Sequence, residues 1–177
     1  RYSTYIFDCD GVVLDSNKLK IHAMEMALQM VGASDREVSQ CLDYFINNFG
    51  RSRTHHVDYF TQSILAPESV GTEAIYTDIL RHYSDSCKEL YQRAVITPGF
   101  LDLINRLEGP IYIASGSDQT ELREVFENRD MSRYFKDILG SPTAKSALIR
   151  QIIHIENQGP GSVVMFGDSV ADYEASV

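Results

Sequence analysis

The chain has 177 residues, and 16 Lys+Arg against 25 Asp+Glu leave a formal charge of −9 and a pI near 4.9. With 44% hydrophobic and 23% charged residues the composition is that of an ordinary globular domain, which excludes a disordered or fibrous chain. The acidic balance argues against nucleic acid as a partner, and no apolar run approaches the ~20 residues that cross a bilayer. Cys9, Cys41 and Cys87 have neither disulfide-framework nor zinc-ligand spacing, so a soluble, cytoplasmic protein is expected.

In chain order, Tyr5-Ile6-Phe7 ends at Asp8 with Gly11 three residues on, which reads as a buried strand closing into a turn. Leu19, Ala23, Met26, Ala27 and Met30 then keep helical spacing up to Gly32. Ser34-Asp35-Arg36-Glu37 is a capping-box sequence that opens a second stripe of Val38, Cys41, Leu42, Phe45 and Ile46. Val57, Phe60 and Ile64 indicate a third helix before Pro67, and Ile75, Ile79, Tyr83, Leu90 and Tyr91 a fourth. From Pro98-Gly99 onward the pattern alternates. Phe100, Leu101, Ile104 and Leu107 form a helix stopped by Gly109-Pro110, and Ile111-Tyr112-Ile113-Ala114 form a strand before Ser115. Leu122, Val125 and Phe126 mark the next helix, Asp137-Ile138-Leu139 the next strand. Leu148, Ile149, Ile152 and Ile153 mark a last helix, and Val163-Val164-Met165-Phe166 a strand ending at Gly167.

Strands separated by helices at this spacing imply an α/β fold, a Rossmann-like parallel sheet covered on both faces. The helical block after the first strand breaks that alternation. It is expected to be an inserted α-helical cap subdomain at 15–96, hinged near 13–16 and 96–99, on a core formed by 1–14 and 97–177.

The chemistry concentrates at the strand ends. In Asp8-Cys9-Asp10-Gly11 the two carboxylates lie two residues apart in an extended segment, so both can face one site, while Cys9 projects away into packing. Adjacent carboxylates repel unless they share a cation or proton, and the carboxyl end of a parallel strand is where open α/β sheets bind ligands. Taken alone, the pair equally fits a solvated turn. Ser115-Gly116-Ser117 offers a small hydroxyl and backbone N–H groups as a phosphate cradle, with Ser117 expected to serve as a helix N-cap. Lys145 is expected near the first turn of a helix, where its charge opposes the helix dipole; an anion nearby would explain it, or else it is a solvated lysine. Asp168 and Asp172 complete an oxygen-rich set that suits Mg²⁺.

These segments resemble, in order, the four motifs of the haloacid dehalogenase superfamily. Phe7-Asp8-Cys9-Asp10-Gly11-Val12-Val13-Leu14-Asp15-Ser16 is similar to its first motif, and Ser115, Lys145 in Gly-Ser-Pro-x-x-Lys, and Gly167-Asp168-x-x-x-Asp172 are similar to the others. Pro98-Gly99 before a Leu-rich helix resembles the return from the cap in the phosphoglycolate phosphatase and β-phosphoglucomutase-like branch. The resemblance implies a HAD-like core and a Mg²⁺-dependent phosphatase acting on a small phosphorylated metabolite. Asp8 would be the nucleophile that forms an aspartyl-phosphate, and Asp10 the general acid and then base. Ser115, Gly116 and Lys145 would bind the phosphoryl group. Mg²⁺ would be held by Asp8, Asp168 and the Asp10 carbonyl, with Asp172 orienting a metal-bound water or Lys145. An aspartate at position 10 favours phosphoester chemistry over dehalogenation. Relatives continue past the fourth motif to another strand, so the chain reads as incomplete.

In the cap, Gly50-Arg51-Ser52-Arg53 resembles a turn of β-phosphoglucomutase-like members. Arg51, Arg53, His55 and His56 are candidates for a second anionic or a polyhydroxyl group, or else form a solvated surface. The cap tyrosines and phenylalanines read as core. A phosphosugar mutase and a non-catalytic phosphate-binding regulator are the competing functions. The oligomeric state is left open.

Overall fold

The computed structural model describes residues 2–65 and 71–177; Pro67, expected as a helix breaker, lies outside them. Strands β1 (Thr4–Phe7), β4 (Ile111–Asp118), β5 (Asp137–Ser141) and β6 (Val163–Phe166) form one sheet in the order β5-β4-β1-β6, every pair parallel. Alternate residues serve opposite faces, as the pleat requires. Tyr5, Phe7, Ile111 and Ile113 join the larger hydrophobic core with α5 (Phe100–Ile104) and α6 (Gln119–Asn128). Ile6, Tyr112 and Ala114 pack instead against Leu148, Ile149 and Ile152 of α7 (Lys145–Ile155). β1 runs down the middle, so the residues after Phe7 emerge between the ends of β4 and β6.

Helices α1 (Asn17–Met30), α2 (Asp35–Asn47), α3 (Arg53–Ser63) and α4 (Thr72–Arg93) follow β1 before the sheet resumes. The α2 capping box forms as its sequence indicates, with Ser34 and Glu37 satisfying each other's backbone N–H. Two of the expected stripes are displaced. α1 buries Ala23, Met24, Ala27 and Leu28 against α4, which turns Met26 and Met30 to solvent, and Ile46 of α2 is likewise exposed. α5 is also shorter than its stripe, because Arg106 and Leu107 donate to carbonyls three residues back in a tighter turn.

The segments expected as hinges contain an element the periodicity did not indicate. β2 (Leu14–Asp15) pairs antiparallel with β3 (Val95–Ile96), so the two crossings between the helical block and the sheet are tied together. Arg129 reinforces this junction by donating to the carbonyls of Tyr91 and Ala94 at 2.6 and 2.8 Å.

Candidate active site at the carboxyl edge of the sheet

Asp8 leaves β1 at its carboxyl end, its amide donating to the Phe166 carbonyl of β6 at 2.9 Å. The neighbouring strand ends deliver the other groups. Ser115 is buried within β4, and Lys145 is the first residue of α7. Asp168 and Asp172 flank the start of α8 (Val170–Ser176), where Ser169 and Asp172 form a second capping box.

Lys145 is the hub of this edge. Its buried Nζ lies 3.1 Å from Asp8 Oδ1 and 2.5 Å from Asp172 Oδ1. Burial pushes the ammonium pKa down, but Asp8 and Asp172 outweigh that and hold it above its ordinary value. One cation does not balance the cluster. Burial, with Asp172 and Asp10 adding to it and Lys145 opposing, pushes the Asp8 carboxyl up to about 7. Asp8 Oδ1 is buried and has no hydrogen-bond partner besides the ion pair with Lys145 at 3.1 Å. Oxygens of Asp8, Asp168 and Asp172 all lie within 4.8 Å of one another. An all-oxygen donor set short of positive charge, with one buried oxygen met by Lys145 alone, fits a hard divalent cation. Asp168 reaches the cluster because Gly11 lets it. A Cβ at Gly11, whose φ is +75°, would overlap the Asp168 carboxylate.

Asp10 faces elsewhere. Its carboxylate accepts from Ser16 Oγ at 2.6 Å, Lys20 Nζ at 2.9 Å, Tyr91 OH at 2.9 Å and Ser117 Oγ at 2.8 Å. Burial pushes this carboxyl up, yet Lys20 and the surrounding hydroxyl donors outweigh it and hold the pKa below its ordinary value. Only the backbone of Asp10 is left for the cation cluster. Ser117 is not the N-cap of α6. Its hydroxyl is committed to Asp10, and Asp118 takes that role by accepting from the Glu121 amide at 3.0 Å.

The helical block closes over these groups. Asp8, Asp10, Ser115, Gly116 and Ser117 line one wall of a small chamber. Lys20, Phe45, Phe49, Arg53, His56 and Tyr83 line the other. Its volume of about 20 Å³ holds roughly one water. Gly116 makes the fit by having no side chain, because a Cβ there would strike the carbonyl of Gly50.

Of the arginine and histidine candidates, Arg53 is taken up by a bidentate contact with Glu121 of α6, at 2.7 and 2.5 Å, and by Ser84. Arg51 pairs with Glu174 of α8 at 2.7 Å. His55 lies 3.0 Å from the Tyr44 hydroxyl and lines an outer groove of about 390 Å³ with Ser52, Thr143 and Ser146. His56 faces the chamber. The sequence reading missed Ser16, Lys20 and Tyr91 as partners of Asp10, and Asn17, which donates to Asp168 at 2.7 Å. Ser16 and Lys20 stand eight and twelve residues after Asp8, close enough for a hydroxyl and a cation so near the motif to have been noted. Tyr91, more than eighty residues on, left no such trace.

A family model described as haloacid dehalogenase-like hydrolase matches residues 2–176. A curated protein named 5'-nucleotidase from Pseudomonas aeruginosa is 26% identical over 182 residues, covering 97% of this chain and 76% of that protein. A crystal structure of a predicted phosphoglycolate phosphatase from Haemophilus somnus superposes with a TM-score of 0.79 at 15% identity, over 99% of this chain and 80% of that one. CbbY from Rhodobacter sphaeroides in complex with phosphate gives 0.76 at 17% identity, over 99% and 82%. At these identities the two structures speak for the fold.

Proposed function

The chain belongs to the haloacid dehalogenase-like hydrolases, and from that premise we propose that it hydrolyses a small phosphate monoester through an aspartyl-phosphate at Asp8. The observation that carries this reading is the buried Asp8–Lys145–Asp172 array beside Ser115 at the carboxyl edge of the sheet. A carboxylate nucleophile must approach an anionic phosphoryl group, and only compensating positive charge permits that. The 5'-nucleotidase name of the relative supports a phosphomonoester substrate.

In the first half-reaction an Asp8 oxygen bonds to phosphorus, the bond from phosphorus to the leaving oxygen breaks, and that oxygen takes the proton of the Asp10 carboxyl. In the second, water attacks phosphorus and gives its proton to the Asp10 carboxylate. The bond to Asp8 breaks and phosphate leaves. Held ionised by its donors, Asp10 is here in the state the second half needs. Lys145 and Ser115 would bind the phosphoryl oxygens, and the Gly116 backbone would let them approach. Mg²⁺ would be held by Asp8, Asp168 and the Asp10 carbonyl, with Asp172 keeping Lys145 in place. When bound, that ion supplies Lewis-acid neutralisation of the phosphoryl charge.

The helical block acts as a cap in this reading. A chamber that holds one water admits no phosphoryl group, so the cap opens for substrate and closes to exclude bulk water. The test is Asp8→Asn, assayed for phosphate release from small monoesters with Mg²⁺. A loss of at least about 10³-fold is expected, because the nucleophile is gone. Acid-quenched wild type should carry label from substrate phosphate and the variant none. Turnover at the wild-type rate in the variant would sink the assignment.

A further inference from the structure

The three carboxylates of the cation cluster are not held alike. Asp8 and Asp172 are buried and share the ammonium of Lys145. Asp172 also accepts from the Ser169 hydroxyl at 2.6 Å and from the Ser169 amide at 3.0 Å. Asp168 has neither aid. It is exposed and lies between β6 and α8. Among the described residues its single side-chain partner is Asn17, whose Nδ2 donates to Asp168 Oδ2 at 2.7 Å.

Asn17 makes no other use of its side chain. It is the first residue of α1, yet that helix has no side-chain cap bond at its N-terminus. The Asn17 Oδ1 is buried without a partner. A buried acceptor left unpaired is destabilising, so helix stability does not account for this amide. Its orientation follows from the carboxylate it meets, because the reversed amide would set two acceptors against each other. Gly11 gives the contact its room. A Cβ at that position, where φ is +75°, would overlap Asp168 Oδ2 and Asn17 Nδ2 alike.

An exposed carboxylate that rotates freely must be ordered before it can hold an ion, whereas one fixed beforehand is already in place. We propose that Asn17 is a positioning residue of the cation site, which presets the Asp168 carboxylate for a divalent ion and so raises the affinity of the site. The inference rests on the phosphomonoesterase reading, in which Asp8, Asp168 and the Asp10 carbonyl would hold Mg²⁺. It adds a residue from the start of the helical block, just beyond the first motif.

Mn²⁺ is the probe, titrated into the full chain without substrate while its electron paramagnetic resonance signal counts the free ion. Asn17→Leu should raise the dissociation constant by roughly 10- to 100-fold, the usual cost of losing a partner that orients a ligand. Asn17→Ala removes the same donor with less bulk beside Gly11 and should show the same loss, so a leucine variant that does not fold leaves the test intact. Phosphate release then separates positioning from support of the fold. In the variants the half-saturating Mg²⁺ concentration should rise by the same factor, and raising Mg²⁺ should recover most of the rate, because Asp168 itself remains. A wild-type dissociation constant in either folded variant, or a fallen kcat with an unchanged Mg²⁺ requirement, would overturn the proposal. So would a wild-type chain that binds no Mn²⁺. The two levels stay distinguishable. Equal Mn²⁺ binding with normal phosphate release removes only Asn17, whereas weakened binding in variants of a chain that hydrolyses no monoester supports Asn17 and refutes the phosphatase reading.

Discussion

The two walls of the chamber are built by different rules. On the sheet side, Asp8 follows the end of β1, Ser115 lies within β4, and Lys145 and Asp172, behind the chamber, stand in the first turns of α7 and α8, so backbone register holds them together. On the helical side, Lys20, Arg53 and His56 come from the first turns of α1 and α3, and Tyr91, which reaches Asp10, from the last turn of α4, so helix packing decides where they point. In the proposed reaction the sheet side would supply the charge that any phosphate monoester meets. The helical side holds Asp10 through Lys20 and Tyr91 and would shape the leaving-group space. Variants on the first should thus damage all substrates alike, and variants on the second should discriminate among them.

The largest effect is expected from Lys145→Met. It removes the cation between Asp8 and Asp172, so two carboxylates remain buried against an incoming phosphoryl group. The expected fall in kcat/KM is on the order of 10³-fold, comparable to losing one oxyanion donor in a water-poor site. The factor should be the same for p-nitrophenyl phosphate and for an alkyl phosphate. Lys145→Arg should recover little, since a planar fork does not occupy the place of a single ammonium. A variant within tenfold of wild type would remove Lys145 from the machinery.

Lys20→Met sharpens the contrast. Lys20 touches the reaction only through Asp10 and Ser117 at 2.9 Å, so it is a positioning residue. Losing it raises the acid form of Asp10 but frees its carboxyl to leave its place, and the misplacement should dominate, with a fall of roughly 10- to 100-fold for alkyl phosphates, within the range of general acid–base contributions. p-Nitrophenyl phosphate, whose leaving group needs little protonation, should lose only a few-fold. Lys20→Arg should restore part of the alkyl rate. An equal loss on both substrates would mean that Lys20 merely supports the fold.

This asymmetry also explains what could be read from the sequence. The α/β alternation and the strand-end chemistry were legible because a parallel sheet converts short apolar runs followed by Asp, Ser or Gly into convergent positions. Asp8 with Gly11, and Asp168 with Asp172, encode their placement within a few residues. Tyr91 does not. It looked like one more apolar position of a helical stripe, and only the packing of α4 against α1 brings its hydroxyl to Asp10. Arg53 read as a candidate for a second anionic or polyhydroxyl group, or as solvated surface, because Glu121, 68 residues away, carries no local sign of being its partner. Met26 and Met30 erred for the related reason that periodicity selects a face without saying which neighbour covers it. The β2–β3 ladder escaped notice because two residues per strand are too few to show alternation.

The smallest effects come from the two arginine pairs that join cap to core, and their difference in burial sets the scale. Arg53 and Glu121 have side chains only 11% and 10% exposed, whereas Arg51 and Glu174 are 42% and 54% exposed. Arg53→Met leaves Glu121 buried without its partner and should cost about 3–5 kcal/mol in urea unfolding. Changing Glu121→Gln as well should return much of that, since the stranded charge goes with it. Arg51→Ala removes a pair that water and salt already screen. Its cost should stay below about 1 kcal/mol and vanish in high salt, because exposed pairs gain little after ordering two flexible side chains. A loss from Arg51→Ala as large as that from Arg53→Met would mean that the cap is latched at its rim rather than at Glu121.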